Sequence, residues 1–73
     1  MEAISSTHKK LGLRIKELRA NHKMTQEDLA FSTGVDRSYM GFIERGERNS
    51  TLAKLVKIAK SFNISLSELF QSV

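Results

Sequence analysis

Residues 25–46, TQEDLAFSTGVDRSYMGFIERG, constrain the fold more than any other stretch of this chain. Thr25 can cap a helix by accepting a backbone N–H through its hydroxyl, and Asp28 can bond back to the Thr25 N–H. Gln26, Glu27 and Asp28 then fill the first turn, where acidic groups favour the positive end of the helix dipole. Leu29 and Ala30 face inward. Gly34 follows, the residue that closes a helix in the left-handed conformation at least steric cost. Asp36 can cap a second helix, RSYMGFIER, which Gly46 ends in the same way.

Two short helices joined so tightly form a helix-turn-helix unit over about residues 25–45, with one helix free to enter a groove. The second helix places Arg37, Ser38 and Tyr39, all hydrogen-bond donors, in its first turn. The 73 residues carry twelve Lys plus Arg against eight Asp plus Glu, a formal charge of +4. A basic balance around such a unit points to double-stranded DNA as partner, although a slight cationic excess on a solvated surface is the plain alternative. The chain has no Cys and no Pro. No thiolate metal site is available, and a reducing cytoplasm fits. No apolar run is long enough to span a membrane, and the N-terminus lacks a secretion segment.

The rest of the chain reads as one all-α domain of five helices over residues 7–73, preceded by a frayed segment at 1–6. Thr7 is the expected cap of a first helix running to about His22, with Leu11, Ile15, Leu18 and His22 on its core face. Gly12 weakens that helix only locally. Lys10 and Arg14 lie one turn apart and are candidates to reach phosphate. Asn21, His22 and Lys23 form the connection, and Met24 packs inward. Residues 47–51, ERNST, form a polar loop that ends on Thr51 as the next cap. Leu52, Leu55, Val56, Ile58, Ala59 and Phe62 then share one broad apolar face, with Lys54, Lys57 and Lys60 on the solvent side and Asn63 as a left-handed stop. Ser65 and Glu68 form a second capping-box pattern, opening a last helix through about Ser72. That helix concentrates Leu66, Leu69, Phe70 and Val73 at the end of a small domain. Four apolar groups there exceed what one short helix can bury internally, which predicts a twofold dimer through this helix.

With Thr25, Gln26, Leu29, Ala30, Gly34, Val35, Ser38, Tyr39, Ile43, Glu44 and Gly46 in place, the chain resembles the phage-repressor-like helix-turn-helix family. The resemblance runs from about Ile15 to Phe70, through TQEDLA, GVDRSY, IERGER and KIAKSFNISLSELF. Within that family it is similar to the controller proteins of restriction–modification systems, which are short dimers without a second domain. The resemblance implies a lambda-repressor-like fold and roles by position. Arg37 and Ser38 would reach base edges, and Gln26 and Tyr39 would touch the DNA backbone. Arg19 and Glu44 would form a partly buried structural ion pair. It also implies that Glu27 is the best-placed acidic residue for a contact with RNA polymerase, although a charge that caps the helix explains Glu27 equally well. A bacterial or phage protein associated with the nucleoid, forming homodimers and pairs of dimers on DNA, is the setting that follows.

Physical chemistry supports most of these roles. The Arg37 guanidinium fork fits the O6 and N7 of guanine, while Ser38 is an adaptable donor and acceptor that discriminates less. Thr25 joins Gln26 at the start of the first motif helix as a backbone contact. Arg48, Asn49 and Ser50 sit just past the second, where a loop can meet the sugar–phosphate chain and set register. Gly41 and Phe42 depart from the family pattern at positions expected to face outward. Phe42 could meet a thymine methyl, pack under the loop or stand exposed. Two other readings compete with a controller: a simple phage-type or antitoxin-type repressor, and a basic helical interaction module that binds no DNA. An enzyme is not indicated. His8 and His22 have no metal-ligand spacing, no nucleophile stands beside a base, and no cofactor is implied.

Overall fold

The computed structural model describes residues 5–73. Among them are five helices and no strand: α1 (Ser6–Asn21), α2 (Gln26–Thr33), α3 (Arg37–Glu44), α4 (Leu52–Ser61) and α5 (Leu66–Leu69). The expected segment at 1–6 falls partly outside the described residues. Ser6, however, already opens α1. Ser5, not Thr7, is the cap: its hydroxyl accepts the His8 N–H, and the His8 ring accepts the Ser5 N–H at Nδ1, 3.1 Å away. Histidine thus takes the place that Glu or Gln holds in the usual capping box, which is why the sequence pattern missed it.

The other helices begin as their sequences predict. Thr25 and Asp28 form a reciprocal box on α2, and the Asp36 carboxylate accepts the Tyr39 N–H at 2.9 Å on α3. Thr51 caps α4, and Ser65 with Glu68 caps α5. The Thr25 backbone N–H holds the Asp28 carboxyl below the usual carboxylate range. Four junctions close on one plan. Lys23, Gly34, Gly46 and Asn63 each take positive φ, between 56° and 75°. Each donates to the carbonyl three residues back, while the next residue reaches five back. Val35 N–H on the Ala30 carbonyl and Glu47 N–H on the Phe42 carbonyl close the ends of the motif helices in this way.

The principal contacts form a cycle, α1 to α3 to α2 to α4 to α5 and back to α1. Ile15, Leu29, Met40, Ile58 and Leu69 are wholly excluded from solvent at its centre, with Phe62 beside them. Burying a side chain of this size contributes about 1.5–3 kcal/mol. Four residues expected to use the core face of their helices do so only in part or not at all, among them Val56, which is half-buried. Leu52 is 67% exposed because α4 begins there, one turn before its apolar face meets α2. His22 is exposed, its ring only tilted against Phe62 at 5.1 Å. Leu11 is half-buried. On α4, Lys54 is less free than expected, its ammonium lying 5.1 Å from the centre of the Tyr39 ring.

The last helix is shorter than expected, ending at Leu69 with Phe70 as its cap. Leu69 points into the protomer core and presents no surface, so it drops out of the expected dimer face. The apolar groups that remain there are Phe70, 38% exposed, and the half-buried Leu66 and Val73. Arg14, one of two candidates to reach phosphate, donates to the Glu68 carbonyl at 2.8 Å and ties α1 to α5.

Gly12 does far more than weaken α1. A Cβ built there would lie 2.3 Å from the Glu44 carbonyl oxygen and 2.7 Å from that of Ile43. Only a glycine lets α1 lie so close on the end of α3. Gly12→Ala should therefore destabilise the domain by about 1–3 kcal/mol in urea unfolding, the scale of core overpacking. Alanine is the better helix former by about 1 kcal/mol, so a variant as stable as wild type would show that α1 and α3 can separate freely.

Candidate nucleic-acid interface

Helix α3 carries two different faces within eight residues. Met40, Ile43 and Glu44 are buried against α1 and α2, which fixes the helix in rotation. Arg37 and Ser38 open the first turn on the exposed side. Among the described residues neither side chain has a hydrogen-bond partner, so their donors are open to an incoming molecule. Asp36 caps the same turn, and the tight closure at Gly34 sets the angle between α2 and α3.

Glu44 is the anchor beneath this helix. Its carboxylate receives the Arg19 Nε at 2.8 Å and an Arg19 terminal nitrogen at 3.0 Å, a bidentate pair. Arg19 also donates to the Met24 carbonyl at 3.1 Å. The hydrogen bond to Glu44 raises the Arg19 pKa further above its already high value, against the lowering effect of burial. The Gln26 amide donates to the same carboxylate at 3.1 Å. The ion pair expected from sequence is thus present, and it extends to Gln26, which links α1, α2 and α3 through one carboxylate.

The loop after α3 is fastened twice. The Tyr39 hydroxyl donates to the Asn49 carbonyl at 3.0 Å, and the Asn49 side-chain oxygen meets His8 Nε2 from α1. With Nδ1 accepting from Ser5, the His8 proton sits on Nε2 and is donated to Asn49. Arg48 and Asn49 are exposed, whereas the Ser50 hydroxyl is buried without a partner and offers no donor at the surface. Thr25 and Glu27 stand exposed at the start of α2, with half-buried Gln26 between them.

The two positions that departed from the family pattern are not outward-facing as expected. Gly41 is buried, and a Cβ there would approach the Arg45 guanidinium at 3.1 Å and the Gln26 oxygen at 3.5 Å. Phe42 is half-buried, with the Arg48 guanidinium 4.6 Å and that of Arg45 5.1 Å from its ring centre. Sequence reasoning did not find His8, Gly12 or Arg45 as parts of this region. Gly12 acts through the contact of α1 with the end of α3 and His8 through the loop at Asn49, distant contacts that no local pattern announces, while Arg45 meets Phe42 and Glu47 nearby in the chain.

Among the described residues there is no cluster of His, Asp or Glu that could hold a metal ion, and no helix long and apolar enough to cross a membrane.

A short recognition helix with free donors at its start, locked at its base and joined to its predecessor by a glycine turn, defines a DNA-binding class. Residues 15–69 match the helix-turn-helix family model, and the chain belongs to that family of transcription regulators. Its relatives narrow the class. Over 57 residues it is 46% identical to an uncharacterized HTH-type transcriptional regulator of Archaeoglobus fulgidus, covering 78% of this chain and 81% of that one. The restriction–modification controller protein C.AhdI of Aeromonas hydrophila superposes with a TM-score of 0.86 at 43% identity, covering 89% of this chain and 98% of that one. The controller C.Esp1396I, solved as a tetramer with its natural 35 base-pair operator, aligns at a TM-score of 0.81 and 39% identity, covering 92% and 88%. The chain is a regulator homologous to restriction–modification controller proteins.

The anchor beneath α3 generates a stability prediction. Arg19→Met leaves the Glu44 carboxylate, 3% exposed, with Gln26 as its remaining partner. Stranding a buried charge costs about 3–5 kcal/mol, while replacing both members by apolar groups is often neutral. Chemical denaturation should show Arg19→Met severely destabilised and Arg19→Met with Glu44→Leu largely restored. An Arg19→Met domain within about 1 kcal/mol of wild type would place this pair among ordinary surface bridges.

Proposed function

We propose that this chain is a dimeric controller that binds palindromic operator DNA and both activates and represses a restriction–modification operon. The observation that carries the reading is the pairing of Arg37 and Ser38, free of partners, with the locked base of α3. In a twofold dimer, two such helices enter successive major grooves about 34 Å apart. Arg37 reads a guanine and Ser38 an adjoining base edge. Thr25, Gln26, Tyr39, Arg48 and Asn49 meet the backbone on either side, with Ser50 supplying its backbone N–H in place of the buried hydroxyl.

The dimer forms through Leu66, Phe70 and Val73, the apolar groups that the protomer leaves partly uncovered at its C-terminal end. Pairs of dimers occupy adjacent sites at higher concentration, as the tetrameric assembly of C.Esp1396I on its operator supports. Low occupancy activates and high occupancy represses. Activation needs a surface for RNA polymerase, and Glu27, exposed on α2 beside the DNA, supplies it.

Selection from random-sequence DNA pools across a salt series tests the DNA reading. Wild type should enrich a two-fold symmetric site. Arg37→Ala should relax one symmetric pair of positions, losing about 1–3 kcal/mol of discrimination per contact. Binding that enriches nothing and fades uniformly with salt would leave only generic charge attraction.

Transcription in vitro from the selected site then separates controller from simple repressor. Glu27→Gln should bind as wild type does but lose activation several-fold while keeping repression. If wild type itself never activates, the simple repressor is the correct reading.

A further inference from the structure

We propose that Phe42 is a positioning residue that holds the Arg48 guanidinium ready for the DNA backbone; this rests on the operator-binding reading above. Phe42 occupies the last turn of α3, and its ring has arginines around it, Arg48 at 4.6 Å and Arg45 at 5.1 Å from the centroid. The two are not equivalent. Arg45 Nε donates to the Glu47 carboxylate at 3.0 Å, an exposed pair that already gives that arginine a polar partner. Arg48 is exposed, and among the described residues its guanidinium makes no hydrogen bond or ion pair. The ring is the contact that fixes it.

The geometry of the two groups explains why a ring suits this task. A guanidinium carries its five N–H donors in its plane, and stacking occupies only its face. A carboxylate partner would consume those donors and cancel the charge. An aromatic face orients the group and leaves both the charge and the in-plane donors for phosphate oxygens. The platform itself is firm. The Phe42 carbonyl accepts the Glu47 N–H at 2.9 Å, closing the helix end, and the Tyr39 hydroxyl holds the loop at the Asn49 carbonyl. Arg48 therefore springs from a fixed backbone and rests on a fixed ring. Its long side chain would otherwise lose much conformational freedom on binding.

The test compares Phe42→Leu, Phe42→Tyr, Arg48→Ala and the Phe42→Leu/Arg48→Ala double variant of the full chain, with thermal melts to confirm folding. The probe is the duplex selected by wild type, titrated across a salt series. Phe42→Leu should weaken binding about three- to tenfold, the range of one cation–π contact. Phe42→Tyr should restore it. The double variant should bind no more weakly than Arg48→Ala alone, because the ring acts through that arginine. Arg48→Ala should also reduce the logarithmic salt slope by about one, whereas Phe42→Leu keeps the charge and the slope. Unchanged affinity in Phe42→Leu, or additive losses in the double variant, would overturn the proposal. A shifted base preference in Phe42→Leu would overturn it too, in favour of direct contact between the ring and a thymine methyl. A wild type that selects no site fails at the earlier step and overturns the operator-binding reading itself.

Discussion

The close approach of α1 to the end of α3 is the contact on which the rest of the structure depends. Gly12 admits the Glu44 and Ile43 carbonyls, and on the other side a Cβ at Gly46 would lie 2.6 Å from the Lys9 Cα. Further along α1 the Arg19–Glu44 pair ties the same two helices together. The order of causes is physical. Removing two side chains lets the backbones approach, and the approach brings a buried carboxylate within reach of a bidentate arginine. The pair then fixes α3 in rotation and translation. Arg37 and Ser38 gain their aim from that constraint, since eight residues are too few to hold a helix in place by hydrogen bonding alone.

Helix ends carry a comparable share of the specification. Each of α2 to α5 starts on a Ser, Thr or Asp side chain, and the first four helices are each followed by a left-handed residue that, together with the residue after it, satisfies two carbonyls. Two of those residues are glycines, for which positive φ carries no steric cost, and Asn63 tolerates it. Lys23 does not belong to either group. Its left-handed turn lets the Met24 N–H reach the Arg19 carbonyl and sets half-buried Met24 against the core.

That division describes what was legible in the sequence. Caps, stops and apolar periodicity are local, so α2, α3 and α4 could be bounded closely, and the motif match specified the ion pair across 25 residues of chain. Contacts between distant segments were not legible. Gly12 looked like a minor weakness because nothing near it in sequence reveals the carbonyls it faces. Leu69 looked like free surface because the number of apolar groups says how many must be covered, not which. Gly41 and Phe42 looked outward because a helical wheel fixes direction only relative to its own core face, and here the loop after α3 folds back over a second face. His8 escaped because its function as a cap partner uses a ring nitrogen where a carboxylate is usual.

The arginines show how a small basic domain separates fold from function. A net charge of +4 says little, because the five arginines do different work. Arg14 is bound to the Glu68 carbonyl, Arg19 to Glu44 and Arg45 to Glu47. Arg37 and Arg48 alone have no polar partner among the described residues, and they flank α3 at its two ends. Cations engaged within the fold have part of their donor set committed and are held in place by those partners. Those left open keep the full electrostatic and hydrogen-bonding capacity that DNA can use. An open arginine, though, is also a flexible one. Arg37 is limited by its place on a locked helix. Arg48, on a loop, needs something that restrains it without using its donors, and an aromatic face is the one side-chain surface that meets both conditions.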